Sequence, residues 1–214
     1  MNERIRNSWR AACALVLLAA AGGASAAPDD YRFDLVHTQV TVCLDHMGFS
    51  QSCGRLHVTN GWFRFDPDDW STAQVDVTID AASIDMGDAA WSDKVRGTYL
   101  DAKTYPTAHF SGSGAQKTGE KTALLHGKLV LLGRTQPVDL QITFNRAARD
   151  GYTLKFVAGF SAHARFKRSA FGSTRSAPDL GDAVDVHVEV EGLRDKDAQA
   201  QASAPAQTAP ERHE

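Results

Sequence analysis

Apolar and polar residues alternate along most of this chain. In residues 184–191 every even position is Val, and every odd one is polar: Asp185, His187, Glu189 and Glu191. Val138, Leu140, Ile142 and Phe144 repeat the pattern, as do Val75, Val77 and Ile79. Val40, Val42 and Leu44 alternate with Gln39, Thr41 and Cys43, and Phe160, Ala162, Ala164 and Phe166 alternate with Ser161, His163 and Arg165. A period of two puts successive side chains on opposite faces of a strand. One dry face and one wet face mark an antiparallel sheet, since buried parallel strands read as solid apolar runs. About eight strands are predicted, over residues 31–46, 52–65, 73–80, 107–114, 123–133, 138–147, 151–167 and 183–193.

Two places depart from simple alternation. Asn60-Gly61 is a hairpin signal inside the second strand, and the inward set changes there from Leu56 and Val58 to Phe63 and Phe65. A bulge in one bent strand is the favoured reading, with a hairpin as the alternative. Trp91, Val95 and Tyr99 are spaced by four, which predicts a short helix over residues 88–97, between the third and fourth strands. The fold class is therefore all-β: an eight-stranded antiparallel barrel, closed so that no strand edge is left open.

Outside the barrel the composition changes. Arg4, Arg6 and Arg10, the apolar run from Ala11 to Ala21, and Ala24-Ser25-Ala26 predict that residues 1–26 are a secretory signal with cleavage before Ala27 and that the protein is exported. The chain holds 23 Lys and Arg against 26 Asp and Glu; residues 1–26 account for three Arg and for Glu3, so residues 27–214 carry a net charge of −5. That balance argues against a nucleic-acid partner. Residues 27–193 form the domain. The stretch 194–214 is mostly Ala, Gln, Pro and charge, and is expected to be disordered.

Cys43 and Cys53 share the outward parity and lie symmetrically about Gly48, in a turn-like segment. A hairpin centred there sets them opposite each other, close enough for a disulfide. No catalytic constellation is found. Gly112-Ser113-Gly114 lacks the pattern of a nucleophile elbow. The chain has no Cys-x-x-Cys, no His-Glu-x-x-His and no phosphate-binding loop. His37, His109, His163 and His187 take the polar parity of strands, which predicts surface positions. Neither a metal nor a cofactor is expected, and the chain is not expected to be an enzyme.

Several segments, in order, resemble the YceI-like, lipocalin-like polyisoprenoid-binding proteins of bacterial periplasms. They begin with Phe33-Asp34, His37, His46-Met47-Gly48 and Gly54. Residues 79–85 and 93–96, Tyr99-Leu100-Asp101, Tyr105-Pro106 and Phe110-Ser111 come next. Gly127-Lys128-Leu129, Gly133-Arg134-Thr135, Pro137-Val138, Leu140, Gly159-Phe160, residues 168–172 and Gly181-Asp182 complete the match, from Tyr31 to Gly192. Thr38, Met86 and Ala170 depart from the more usual Ser, Thr and Asp, and Cys43 and Cys53 stand where polar residues are more usual.

The resemblance implies an extended, lipocalin-like barrel whose lumen holds a long isoprenoid, of polyprenyl or quinone type, for carriage or storage. It also implies a homodimer and, with the secretory signal, a periplasmic localisation; transient contact with a membrane is expected beside these. A fatty acid or fatty amide as ligand is the alternative, as is a stress-related structural protein whose lumen lipid only fills the core. Parity makes Val42, Leu44, Val77, Ile79, Phe110, Phe160, Ala162, Ala164, Phe166 and Phe171 the expected lumen residues, with small Ala side chains leaving room for a ligand. His46, Arg168 and Ser169 are the expected head-group contacts at the mouth.

Overall fold

The computed structural model describes residues 27–204; the expected signal segment, residues 1–26, lies outside them. Nine strands are present: β1 (Asp29–Phe33), β2 (Gln39–His46), β3 (Ser50–Phe65), β4 (Gln74–Asp85), β5 (Thr107–Lys117), β6 (Thr122–Leu131), β7 (Arg134–Arg149), β8 (Phe156–Lys167) and β9 (Leu180–Arg194). All pairings are antiparallel, in the order β3-β2-β9-β8-β7-β6-β5-β4, and β4 returns to β3 to close an eight-stranded barrel.

The ninth strand comes from a break in the first expected one. β1 and β2 occupy one wall position, both pairing with β3 on one side and β9 on the other. Between them the Asp34 carboxylate accepts from the amides of Val36 and His37, and its carbonyl accepts from the Thr38 amide. This side chain-closed turn interrupts a strand that the alternation alone makes continuous.

β3, by contrast, is one bent strand, as the parity change implies. Its register against β4 shifts between Val58 and Asn60. Gly61 takes φ +148°, and a Cβ there would lie 2.5 Å from the Asp76 carbonyl oxygen, so the bulge needs glycine. The expected helix forms as α1 (Ala89–Lys94) and runs on into a π-helical turn, Val95–Tyr99, between β4 and β5. Asp88 caps it, its carboxylate accepting from the Trp91 amide at 2.8 Å.

The register gives the barrel two unlike ends. At one end β1 and the segment 66–73 meet the inward aromatic residues. Tyr31 stacks on Phe63 at 4.9 Å, Phe65 meets Trp70 and Phe160 edge-on at 5.2 and 4.9 Å, and Phe144 lies 5.4 Å from Phe160. Such ring pairs each add about 0.5–1.5 kcal/mol beyond their burial. Gly192 makes room for this floor, since a Cβ there would strike the Phe63 ring at 2.2 Å. At the other end lie the β2–β3 hairpin, α1 with its π-turn, the β6–β7 turn and the segment 168–180.

The expectation of disorder past Leu193 is wrong for residues 195–203. The Asp195 amide donates to the Asp30 carbonyl, and α2 (Ala198–Ser203) lies on β1 and β3. Asn60 donates to the Ala202 carbonyl at 2.8 Å, and Ala198 is buried. The outer-face Trp62, two residues along β3 from Asn60, is also buried. An Ala-rich turn thus docks on the barrel wall, which composition alone does not show. No helix among the described residues is long and apolar enough to cross a membrane.

Candidate functional site

The inward faces of the eight walls enclose a cavity of about 800 Å³. Its shaft is aliphatic. β9 contributes Val184, Val186, Val188 and Val190, β2 contributes Val40, Val42 and Leu44, β4 contributes Val75, Val77 and Ile79, and β7 contributes Val138, Leu140 and Ile142. From Val184 to Val190 the strand rises about 20 Å at roughly 3.3 Å per residue. Val186, Val188 and Val190 face inward yet keep accessible surface, because they border space rather than another side chain. The lumen is long, narrow and dry, shut at one end by the aromatic floor.

Of the ten expected lumen residues, nine line this cavity: Val42, Leu44, Val77, Ile79, Phe110, Phe160, Ala162, Ala164 and Phe166. Phe171 does not. It is buried in the single turn that follows β8, edge-on to the Phe166 ring at 5.1 Å, and packs into the core without bordering the cavity. Strand parity fails there because the chain has left the strand.

The expected head-group residues divide. His46 lines the mouth, its ring 5.2 Å from that of Trp91. Arg168 borders the cavity but is only 5% exposed, and its guanidinium donates to the carbonyls of Gly181, Ser173, Arg175 and Leu180 at 2.8–3.0 Å. Its donors are largely spent on the chain, so it fixes the 173–181 segment across the mouth. Ser169 is not at the cavity: its hydroxyl and amide both donate to the Asp182 carboxylate, at 2.8 and 2.9 Å. Those two bonds, hydroxyl first, hold the Asp182 carboxyl below its ordinary value.

Sequence reasoning missed most of the mouth. Met47, Met86, Trp91, Lys94, Tyr99, Ser176 and Asp179 all line it. The helical spacing located Trp91 and Tyr99 without showing that the helix crosses the opening. The segment 173–180 has no period to read. It is tied in by the Tyr99 hydroxyl, 2.9 Å from the Ser176 Oγ, and by the Met47 amide, which donates to the Asp179 carbonyl at 3.0 Å.

The cysteines pair as expected. Cys43 opposes Cys53 in the register, which continues through Asp45–Gln51 and His46–Ser50, and the two are disulfide-bonded. The bond staples the hairpin that carries His46 and Met47. Three of the four histidines expected at the surface sit outside the barrel beside carboxylates, His37 by Asp34, His109 by Asp76 and His163 by Asp185, and the exposed His187 ring lies 4.8 Å from that of His163. Asp34, His37 and Glu191 bring their ligand atoms within 4.8 Å of one another at the floor end. The Asp34 carboxylate is already engaged by two amides and by the His37 ring, and that hydrogen bond raises the His37 pKa. The closure of the β1–β2 turn accounts for this cluster.

A family model described as the YceI-like domain matches residues 31–192. A UPF0312 protein of Ectopseudomonas mendocina is 30% identical over 187 residues, covering 86% of this chain and 97% of that protein. A UPF0312 protein of Serratia proteamaculans is 32% identical over 183 residues, covering 84% and 93%. Among solved structures, Burkholderia cenocepacia BcnA superposes with a TM-score of 0.65 at 26% identity, over 74% of this chain and 98% of that one. A polyisoprenoid binding domain from Saccharophagus degradans, at 13% identity, shares the fold with a TM-score of 0.58, over 77% and 98%. The match spans the barrel from β1 to β9, and the chain belongs to the YceI-like family.

Proposed function

We propose that this protein is a periplasmic binding protein that holds one long-chain isoprenoid, of polyprenyl or quinone type, in its lumen, for carriage or storage. The observation that carries the reading is the cavity: about 800 Å³, aliphatic along its shaft, blind at the aromatic floor and open at the mouth. An apolar chain laid along the shaft exchanges water contact for Val, Leu and Ile contact, worth about 25 cal/mol per Å² buried. Polar groups lie near the mouth, where a ligand head would rest: His46, Lys94, Ser176 and Asp179. A solved relative by fold is named as a polyisoprenoid binding domain, which favours a branched chain over a fatty acid or fatty amide. The Cys43–Cys53 bond favours an oxidising compartment. The role is binding rather than catalysis, and the family resemblance extends it to a homodimer, which sedimentation of the mature protein would reveal.

Competitive displacement tests the ligand class. A fluorescent apolar probe filling the lumen should be displaced by a long polyprenol or quinone at lower concentration than by palmitate or palmitamide. Equal or better displacement by the straight chains would overturn the isoprenoid assignment.

A further inference from the structure

Among the described residues, the large apolar side chains left exposed are confined to the two ends of the barrel. At the mouth they are Phe49 (84% exposed), Met47 (53%), Trp91 (39%) and Tyr105. Met47 and Trp91 also line the cavity, so the apolar surface of the lumen runs without a break onto the outside of the rim. We propose that this rim is a docking surface for a phospholipid bilayer, through which the lumen is loaded and emptied. The proposal rests on the lumen reading above, since a water-insoluble chain has to pass between bilayer and barrel.

The hairpin is built to present these groups. Met47 and Gly48 both take left-handed backbone, φ 57° and 74°, where Asn and Gly are the usual residues. The turn is closed by the Phe49 amide on the His46 carbonyl and by the Gly48 amide on the Asp45 carboxylate. The disulfide clamps its base. A rigid turn thus holds Met and Phe out into solvent where polar residues would be the ordinary choice. Trp91, beside it through the His46 ring, and Tyr105, against Gly133 of the β6–β7 turn, carry the amphipathic rings that favour a membrane–water interface. Lys94 is interleaved at the rim with Asp88 and Asp179. The attraction is therefore apolar, and a zwitterionic surface suits it.

The opposite end also exposes apolar side chains, Tyr152 most fully. There the lumen is shut by Phe63, Phe65 and Phe160, so docking at that end would bring no lipid to the cavity.

The test is partition of the mature protein onto phosphatidylcholine vesicles by flotation, with Trp91 as reporter, since Trp62 and Trp70 are buried. Wild type should float with the vesicles, and brominated phosphatidylcholine should quench its Trp91 emission. Phe49→Asp should lower partition about tenfold or more, the equivalent of losing roughly 1.4 kcal/mol or more of ring burial. Tyr152→Asp should change partition less than about twofold, and raising salt should change it little. Failure of wild type to float, loss on Tyr152→Asp with Phe49→Asp silent, or a steep loss with salt would each overturn the proposal. Phe49→Asp should still take up a polyprenol delivered from detergent as wild type does. A lumen that fills in a protein that never floats defeats docking alone, and floating without uptake defeats the lumen reading alone.

Discussion

Ala162→Phe places a ring at a chosen depth in the lumen. Ala162 pairs with Ile142 on one side and Val188 on the other, and all three line the cavity. None of the three is fully buried, so the new ring enters space rather than a packed contact. Overpacking a filled core costs about 1–3 kcal/mol; entering an open lumen should cost less than about 1 kcal/mol. The ligand bears the loss instead. A Phe side chain buries roughly 150–250 Å². Displacing half that contact, at about 25 cal/mol per Å², removes about 2–3 kcal/mol of binding, which is about thirtyfold or more in affinity. The assay is thermal melting of ligand-stripped protein beside titration with a polyprenol. Ala164→Phe is the internal comparison: only 4% of that residue is accessible, so its ring should strain the wall. A collapsed Ala162→Phe, or one that binds as wild type does, would refute the assignment of this face to an open lumen.

Four further outcomes rest on particular contacts. Replacing both Cys43 and Cys53 by Ser should cost up to roughly 2–3 kcal/mol in a denaturant titration, and wild type under reductant should match the variant. Arg168→Ala leaves four carbonyls without their donor and should cost about 3 kcal/mol or more, with faster proteolysis confined to residues 173–181; an unchanged digest would show that this segment is held by other contacts. The Asp182 carboxyl sits below its ordinary value because Ser169 donates to it, so its contribution is present above the unfolded value and is lost as pH falls through the folded one; Asp182→Asn should therefore lower Tm at neutral pH and narrow the gap in Tm between neutral and acid. Ending the chain at Arg194 removes α2 and should expose Trp62 to acrylamide while costing about 1–2 kcal/mol of buried apolar surface; unchanged quenching would place the cover of Trp62 elsewhere.

Much of this molecule is legible in its alternation. Valines at 184, 186, 188 and 190 state which face of β9 is dry, and pairing every such face inward leaves a barrel. The disulfide is legible for the same reason, since parity and symmetry about Gly48 fix the register of a hairpin. The features that escape the alternation depend on contacts between distant segments or on side chains that close local turns. Asp34 breaks the first wall by closing a turn on neighbouring amides, and nothing in the period announces that. Arg168 looks like a free cation in sequence and is committed to four carbonyls in space. Ser169 is spent on Asp182, and Phe171 packs against Phe166 rather than lining the cavity. The docking of α2 depends on β1 and β3, more than a hundred residues away. Period two describes walls well and says little about what closes their ends.

Whether the lumen holds an isoprenoid is tested most directly by mass spectrometry of an organic extract from the protein, purified without detergent from the cells that make it. We expect about one isoprenoid chain per barrel, lost in Ala162→Phe and retained in Phe49→Asp protein loaded from detergent. An extract with no lipid, or one dominated by straight-chain fatty acids, would contradict the account.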